Sequence, residues 1–202
     1  MSPTEINFVV EGAIDAAVAR KLIRSRGAIP GMERIARGKG TFMAVLPKYN
    51  AAARFQRWLA IRDLDHDADC APALVQAHKL QPNDFWSYRI AVREVEAWLM
   101  ADREAFAHAL GVSVAAISTQ PEAIADPKLT IVNLARRSRR RGIQLGLVPE
   151  EGAGITIGPE YSAWMSDFAE STWDPDRACE TAVIPSLVGA LRSIQSIAGG
   201  AE

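Results

Sequence analysis

The first hundred residues alternate short apolar runs with helix-length segments, and that order constrains the fold more than any other feature. Ile6 to Val10 is mostly apolar with β-branched residues, the pattern of a strand. Glu11-Gly12 ends it, and a helix is predicted from Ala13 to Ser25, with Ala17, Leu22 and Ile23 among its apolar positions and Gly27 as its stop. Trp58 to Asp63 reads as another strand, and Ala71 to His78 as the helix after it, with Pro72 in the first turn. Ser87 to Val92 is a further strand that runs straight into a helix over Arg93 to Asp102. Ile35 and its neighbours predict a second strand or an edge segment. Thr41 to Ala53 predicts a helix that Pro47 kinks or splits. Strands and helices in strict succession argue for an α/β fold, a parallel sheet flanked by helices.

The same strands end in acid. Glu11 follows the first. Arg62-Asp63-Leu64-Asp65-His66-Asp67-Ala68-Asp69 closes the Trp58 strand with carboxylates at alternate positions, and Glu94 and Glu96 follow the Ser87 strand. Parallel strands bring their C-terminal ends to one edge, where open α/β sheets bind ligands. If the Trp58 strand persists to Asp65, then Asp63 and Asp65 project on one side. Carboxylates that close raise one another's pKa, and a divalent cation held by carboxylates and water removes the conflict. Each group also has a plainer role: a solvated acidic loop for residues 63 to 69, and a favourable carboxylate near a helix N-terminus for Glu11. On a helix, Glu94 and Glu96 are two apart and point to nearly opposite faces, so at most one is expected at the site. Val95, Trp98 and Leu99 form an apolar stripe expected in the core.

Bulk properties narrow the class. The chain has 202 residues, 49% hydrophobic and 23% charged, with a net charge of −1. That is a globular composition with no global basic field, so a nucleic-acid partner must be held by local patches. Cys70 and Cys179 are isolated and give neither a zinc nor a disulfide pattern. No apolar stretch suits a membrane span, and Met1 to Glu5 carries no signal-peptide pattern; a cytoplasmic location with no membrane partner is expected. The histidines His66, His78 and His108 lack mutual ligand spacing, Gly38-Lys39-Gly40 is not a P-loop, and no GxSxG element is present.

Beyond residue 111 the pattern is mainly helical. Residues 1–110 are expected to form an α/β core, and 111–202 a helical extension packed on it as one compact unit. Lys128 to Gly142 predicts a helix ending in Arg136-Arg137-Ser138-Arg139-Arg140-Arg141. Arg136, Arg137, Arg139, Arg140 and Arg141 suit phosphate contacts, or equally a solvated helix C-terminus. Residues 149–159 read as a glycine-rich loop. Glu160 to Glu170 and Pro185 to Ile197 read as helices joined by a cap-rich turn at Ser171 to Asp176, and the tail from Gly199 is expected to fray.

Several stretches together resemble a known family. Val10-Glu11-Gly12 after a strand, with Asp63-Leu64-Asp65 after a later one, resembles the Toprim metal site of topoisomerases, primases and the overcoming-lysogenization-defect nucleases. With Ile90 to Leu99, Asp102 and Asp126-Pro127-Lys128 added, the likeness is to an uncharacterised Toprim-like bacterial family, a domain of unknown function, and extends along most of the chain. The resemblance implies a Toprim-like, Rossmann-like core. It also implies Glu11 as general acid/base, Asp63 and Asp65 as Mg²⁺ (or Mn²⁺) ligands, and an ATPase partner in a phage-defence setting. The glycine usual beyond the acidic pair is missing; Asp67 and Asp69 stand there.

Residues and resemblance together predict a Mg²⁺-dependent nuclease. Asp63 and Asp65 would hold metal, with Glu94 or Glu96 supplying a further carboxylate, and Lys128 would steady developing negative charge. Arg136 to Arg141 would hold DNA or RNA. A non-catalytic Toprim-like subunit of an ATPase complex is the alternative. A small-molecule phosphatase of the haloacid-dehalogenase type is disfavoured, because Asp67 stands where that pattern needs Thr or Val.

Overall fold

The computed structural model describes residues 3–152 and 154–199. Four strands build the sheet: β1 (Glu5–Val10), β2 (Ile29–Ile35), β3 (Trp58–Asp63) and β4 (Trp86–Ala91). Their order is β2-β1-β3-β4 and every pairing is parallel, with Phe8 beside Leu59 and Ile61 beside Arg89. Helices α1 (Ala13–Ser25), α2 (Lys39–Ala52) and α3 (Ala71–Ala77) make the crossovers, and α4 (Val95–Ala101) and α5 (Arg103–Leu110) follow β4. The chain then runs through α6 (Pro127–Arg136), α7 (Arg141–Leu147), α8 (Tyr161–Ser171), α9 (Pro175–Thr181) and α10 (Pro185–Ala198). This is the α/β architecture that the alternation predicts, with a mainly helical C-terminal part. The tail residues 200–202 lie outside the described residues, as does residue 153 of the glycine-rich loop.

Strand alternation sorts the core into two layers, because successive side chains face opposite sides of a sheet. Ile6, Phe8, Val10, Leu59 and Ile61 face one side and join α1, α4, α5, α6, α8 and α10 in one cluster. Val9, Ala60, Tyr88 and Ile90 face the other side and pack on Phe42 and Leu46 of α2 and Leu74 of α3. Both faces are covered, which is why β1 and β3 are mostly apolar on both sides, with Asn7 the exception within Ile6 to Val10. The larger cluster takes residues from both sides of position 111, so the helical extension and the α/β core share one interior. Val95, Trp98 and Leu99 lie in it, each at most 2% exposed.

Three local expectations need correction. Helix α2 runs through Pro47 as one element, losing only the ladder bond that proline cannot donate. The helix expected over 128–142 stops at Arg136. Buried Ser138 turns the chain there, its Oγ donating to the Leu110 carbonyl at 2.6 Å while Arg139 N–H donates to Gly111 at 3.0 Å. The third is α9, which follows the turn at Ser171 to Asp176; Asp174 caps it by accepting from the N–H groups of Asp176 and Arg177.

Candidate metal centre

The C-terminal ends of β1, β3 and β4 bring their acidic residues to one edge of the sheet. One carboxylate oxygen each from Asp63, Asp65 and Glu94 lie within 4.8 Å of one another. Beside them opens a cavity of about 260 Å³ lined by Asp65, His66, Arg93, Glu94, Lys128 and Thr156. The triad can hold a metal ion.

Each member is placed differently. Asp63 is the last residue of β3, on the Leu59–Ile61 side, and accepts a hydrogen bond from Val95 N–H at 2.9 Å at the start of α4. Asp65 is not carried there by the strand. β3 stops at Asp63, and Asp65 turns into the left-handed region at φ 49°. It stays in place because its N–H donates to the Arg93 carbonyl at 3.0 Å and the Arg93 guanidinium donates to its own carbonyl at 2.9 Å.

Glu94 and Glu96 correct the helix argument. The helix begins at Val95, and Glu94 precedes it with extended backbone, φ −140° and ψ 158°. The rule of opposite helical faces therefore does not apply, and both glutamates reach Lys128. Its Nζ lies 2.7 Å from Glu94 Oε1 and 3.6 Å from Glu96 Oε1. Glu94 also accepts from Lys128 N–H at 3.3 Å, in the first turn of α6, where the helix dipole favours a carboxylate. Burial depresses the Lys128 pKa, but Glu96, Glu94 and Asp63 together outweigh it and hold the ammonium charged.

Alternation separates Glu11 from Asp63. Glu11 falls on the α2 and α3 side, where Arg62 Nε stands 3.3 Å from its Oε1. The Arg62 side chain is 2% exposed and also pairs with Asp67, which Lys39 contacts from α2. Burial raises the Glu11 pKa, with Arg62 opposing, and Asp65 raises it further, so Asp65 links the two halves of the site. Lys39 and the neighbouring Arg62 hold Asp67 below the usual carboxylate range, against the effect of its burial. Asp67 is thereby committed to cations of the chain itself.

Asp15 and Tyr161 were not anticipated. Asp15 sits in the first turn of α1, 6% exposed, and its Oδ2 accepts from Gly12 N–H at 2.8 Å. In sequence it is indistinguishable from a helix-capping aspartate. Among the described residues its Oδ1 is buried without a hydrogen-bond partner, as are both oxygens of Glu96, despite the Lys128 ion pair, and the Tyr161 hydroxyl that faces Glu96. Burial raises Asp15 to about 7 and Glu96 to about 7. Burial, Asp15 and Glu96 together push Asp63 well above the ordinary carboxylate range. A surplus of hard oxygen donors with unused lone pairs suits a hard divalent cation.

Comparison with known proteins finds no matching family model, no matching curated protein and no matching solved structure. The arginine run lies at the far end of α6 from Lys128, about 12 Å along the helix at 1.5 Å per residue. All five arginines are exposed, and Arg140 also donates to the Ala109 carbonyl at 3.1 Å. Cys70 and Cys179 are both free thiols. Among the described residues no helix is long and apolar enough to cross a membrane.

The raised carboxyls make stability fall as pH rises. A carboxyl whose folded pKa exceeds its unfolded value binds its proton more tightly when folded. Its contribution is full below the unfolded value and is lost as pH climbs through the folded one. For Glu96 that window runs from the ordinary 4.5 to about 7. The metal-free protein is expected to lose on the order of 2 kcal/mol between about pH 5 and about pH 8. Glu96→Gln should flatten that slope. Urea unfolding in chelator at the two pH values measures it, and equal slopes in both proteins would refute the assignment.

Proposed function

We propose that the chain is a metal-dependent phosphodiesterase acting on nucleic acid, a Toprim-like nuclease using Mg²⁺ or Mn²⁺. The observation that carries this reading is the meeting of Asp63, Asp65 and Glu94 from separate strand ends beside Lys128. A bound divalent cation supplies polarisation of the scissile phosphate and a more acidic water.

The residues divide the remaining work. Asp63, fixed by Val95 N–H, and Asp65, fixed by Arg93, present oxygens at a set spacing. Lys128 places a permanent positive charge where a pentavalent phosphate develops negative charge. Glu11, half-buried with a raised pKa, carries a proton to or from the reacting oxygens within reach of Asp65. The arginines Arg136, Arg137, Arg139, Arg140 and Arg141 hold the polynucleotide backbone away from the cleavage point, as phosphate contacts that position rather than read sequence. An ATPase partner in a phage-defence system is the setting in which such a subunit would act.

Lys128→Ala separates charge stabilisation from metal binding. Removal of an electrostatic donor to the transition state is expected to slow cleavage on the order of a hundredfold. Affinity for Mn²⁺ should hold or rise, since a competing cation has left Glu94 and Glu96. Plasmid nicking and calorimetry on the same preparation read both effects. A parallel collapse of metal affinity would mean that Lys128 organises the carboxylates instead.

The pairing of Lys128 with Glu94 and Glu96 also favours a second reading, a non-catalytic subunit in which the lysine is the resident cation. In that case Asp63→Asn leaves biological function intact while complex formation with an ATPase persists.

A further inference from the structure

A second cavity, about 680 Å³, lies along the open edge of β4, between α3 on one side and the start of α10 on the other. Its walls are mainly apolar, with Pro72 and Val75 of α3 beside Tyr88, Ile90 and Val92, and the charged residues Asp69, Arg89, Arg93 and Glu122 also line it. Arg93 borders both this cavity and the smaller one at the carboxylates, so the two are neighbours that share this residue.

Arg89 lines this cavity from β4; it is half-buried, and among the described residues its Nε is buried without a hydrogen-bond partner. Burial lowers its pKa, and among the described residues no carboxylate offsets that effect. The nearby Glu122 is already engaged, accepting from Ser186 N–H at 2.9 Å and from the Ser186 hydroxyl. Helix α10 leaves room for the guanidinium at Gly189, where an added Cβ would stand 2.5 Å from Arg89 Nη2. A guanidinium partly withdrawn from water and left without an anion is held at a cost, and an incoming carboxylate or phosphate offsets it with charge-assisted hydrogen bonds. The volume falls in the range of pockets for small ligands, about 300–1,000 Å³, which combine apolar walls with a few placed polar groups.

We propose that the β4-edge cavity is a binding site for a small anionic ligand, a carboxylate or phosphate ester on a flat apolar body, with Arg89 as its counterion. The apolar body lies against Pro72 and Val75 at the β4 edge, and the anion reaches around that edge to the Arg89 guanidinium on the α10 side. The site does not depend on the metal or nuclease reading.

Calorimetry on the full chain in chelator tests it, with naphthyl phosphate, naphthoate and the neutral naphthylmethanol as probes. Both anions should bind at least about tenfold more tightly than the alcohol, the scale of a hydrogen-bonded charge pair. A preference for the phosphate over the carboxylate assigns the ligand to the phosphoesters, and the reverse assigns it to the carboxylic acids. Arg89→Met should erase the preference for anions while still binding the alcohol, and Arg89→Lys should restore part of it. Asp63→Asn should bind all three as the wild type does, which keeps this site distinct from the carboxylate centre. Without ligand, Arg89→Met should melt no lower than the wild type, because it removes a half-buried charge that has no anion among the described residues. Equal affinity of wild type for all three probes, unchanged anion binding by Arg89→Met, or its melting several degrees lower would each overturn the proposal.

Discussion

Asp63→Asn is expected to weaken Mn²⁺ binding at least on the order of a hundredfold and to remove plasmid nicking with it. Loss of a partner outside the metal's own ligands already costs about 10- to 100-fold in affinity, and Asp63 is placed as a direct ligand. The substitution is conservative for the fold. An asparagine oxygen still accepts from Val95 N–H, which Asp63 does at 2.9 Å, so the start of α4 keeps its anchor. Removing a charge from a group already raised by burial, Asp15 and Glu96 relieves repulsion rather than creating it. The variant should therefore unfold at the same or higher urea concentration than wild type in chelator. Asp65→Asn should weaken the metal similarly. Wild-type Mn²⁺ affinity in both variants would show that the carboxylates meet for another reason.

Asp102→Ala is expected to cost about 3 kcal/mol of folding stability while leaving metal affinity unchanged in the folded protein. The Asp102 side chain is 0% exposed, and both its oxygens are used. Arg177 donates Nε to Oδ1 at 2.7 Å and Nη2 to Oδ2 at 2.6 Å, and Asp174 N–H donates to Oδ2 at 2.9 Å. Truncation strands the donors that tie α9 to the junction of α4 and α5. Breaking a buried pair typically costs about 3–5 kcal/mol. The lower end applies because the Arg177 side chain is 42% exposed and water can solvate it. Urea unfolding measures the difference. A loss below about 1 kcal/mol would place the pair among surface ion pairs.

Asp102 also shows how a motif divides between tasks. In the stretch from Arg93 to Asp102, Glu94 joins the triad and Arg93 fixes Asp65. Trp98 fills the core and Asp102 locks α9. The sequence holds these residues in one stretch; the fold separates those that face the cavity from those that support it.

The sheet and the acidic edge were legible because each rests on short-range physics. Apolar β-branched runs of five or six residues, broken by Gly and followed by helix-length segments, leave few alternatives to a parallel sheet. Such a sheet collects its strand ends, so acids written some thirty to fifty residues apart were expected to meet. What depended on one backbone torsion was not legible. Glu94 was read as helical and so assigned the face opposite Glu96, whereas its extended backbone turns both toward Lys128. Asp65 was expected from strand alternation and arrives instead through a left-handed turn. The arginine run was read as the end of one helix, and the hydroxyl of Ser138, bonding to Leu110 across the fold, makes it a corner.

The sequence by itself determined the layers, the strand directions and the acidic edge, because hydrophobic periodicity and chain connectivity are local and directional. Only the tertiary structure decided the partners. Glu11 stands with Arg62, and Asp63 with Asp15 and Glu96. Arg89 is half-buried and, among the described residues, has no anion beside it. Those pairings come from which face of a strand meets which helix, and from how much water is excluded there. Both are properties of packing between distant segments, which no window of neighbouring residues contains.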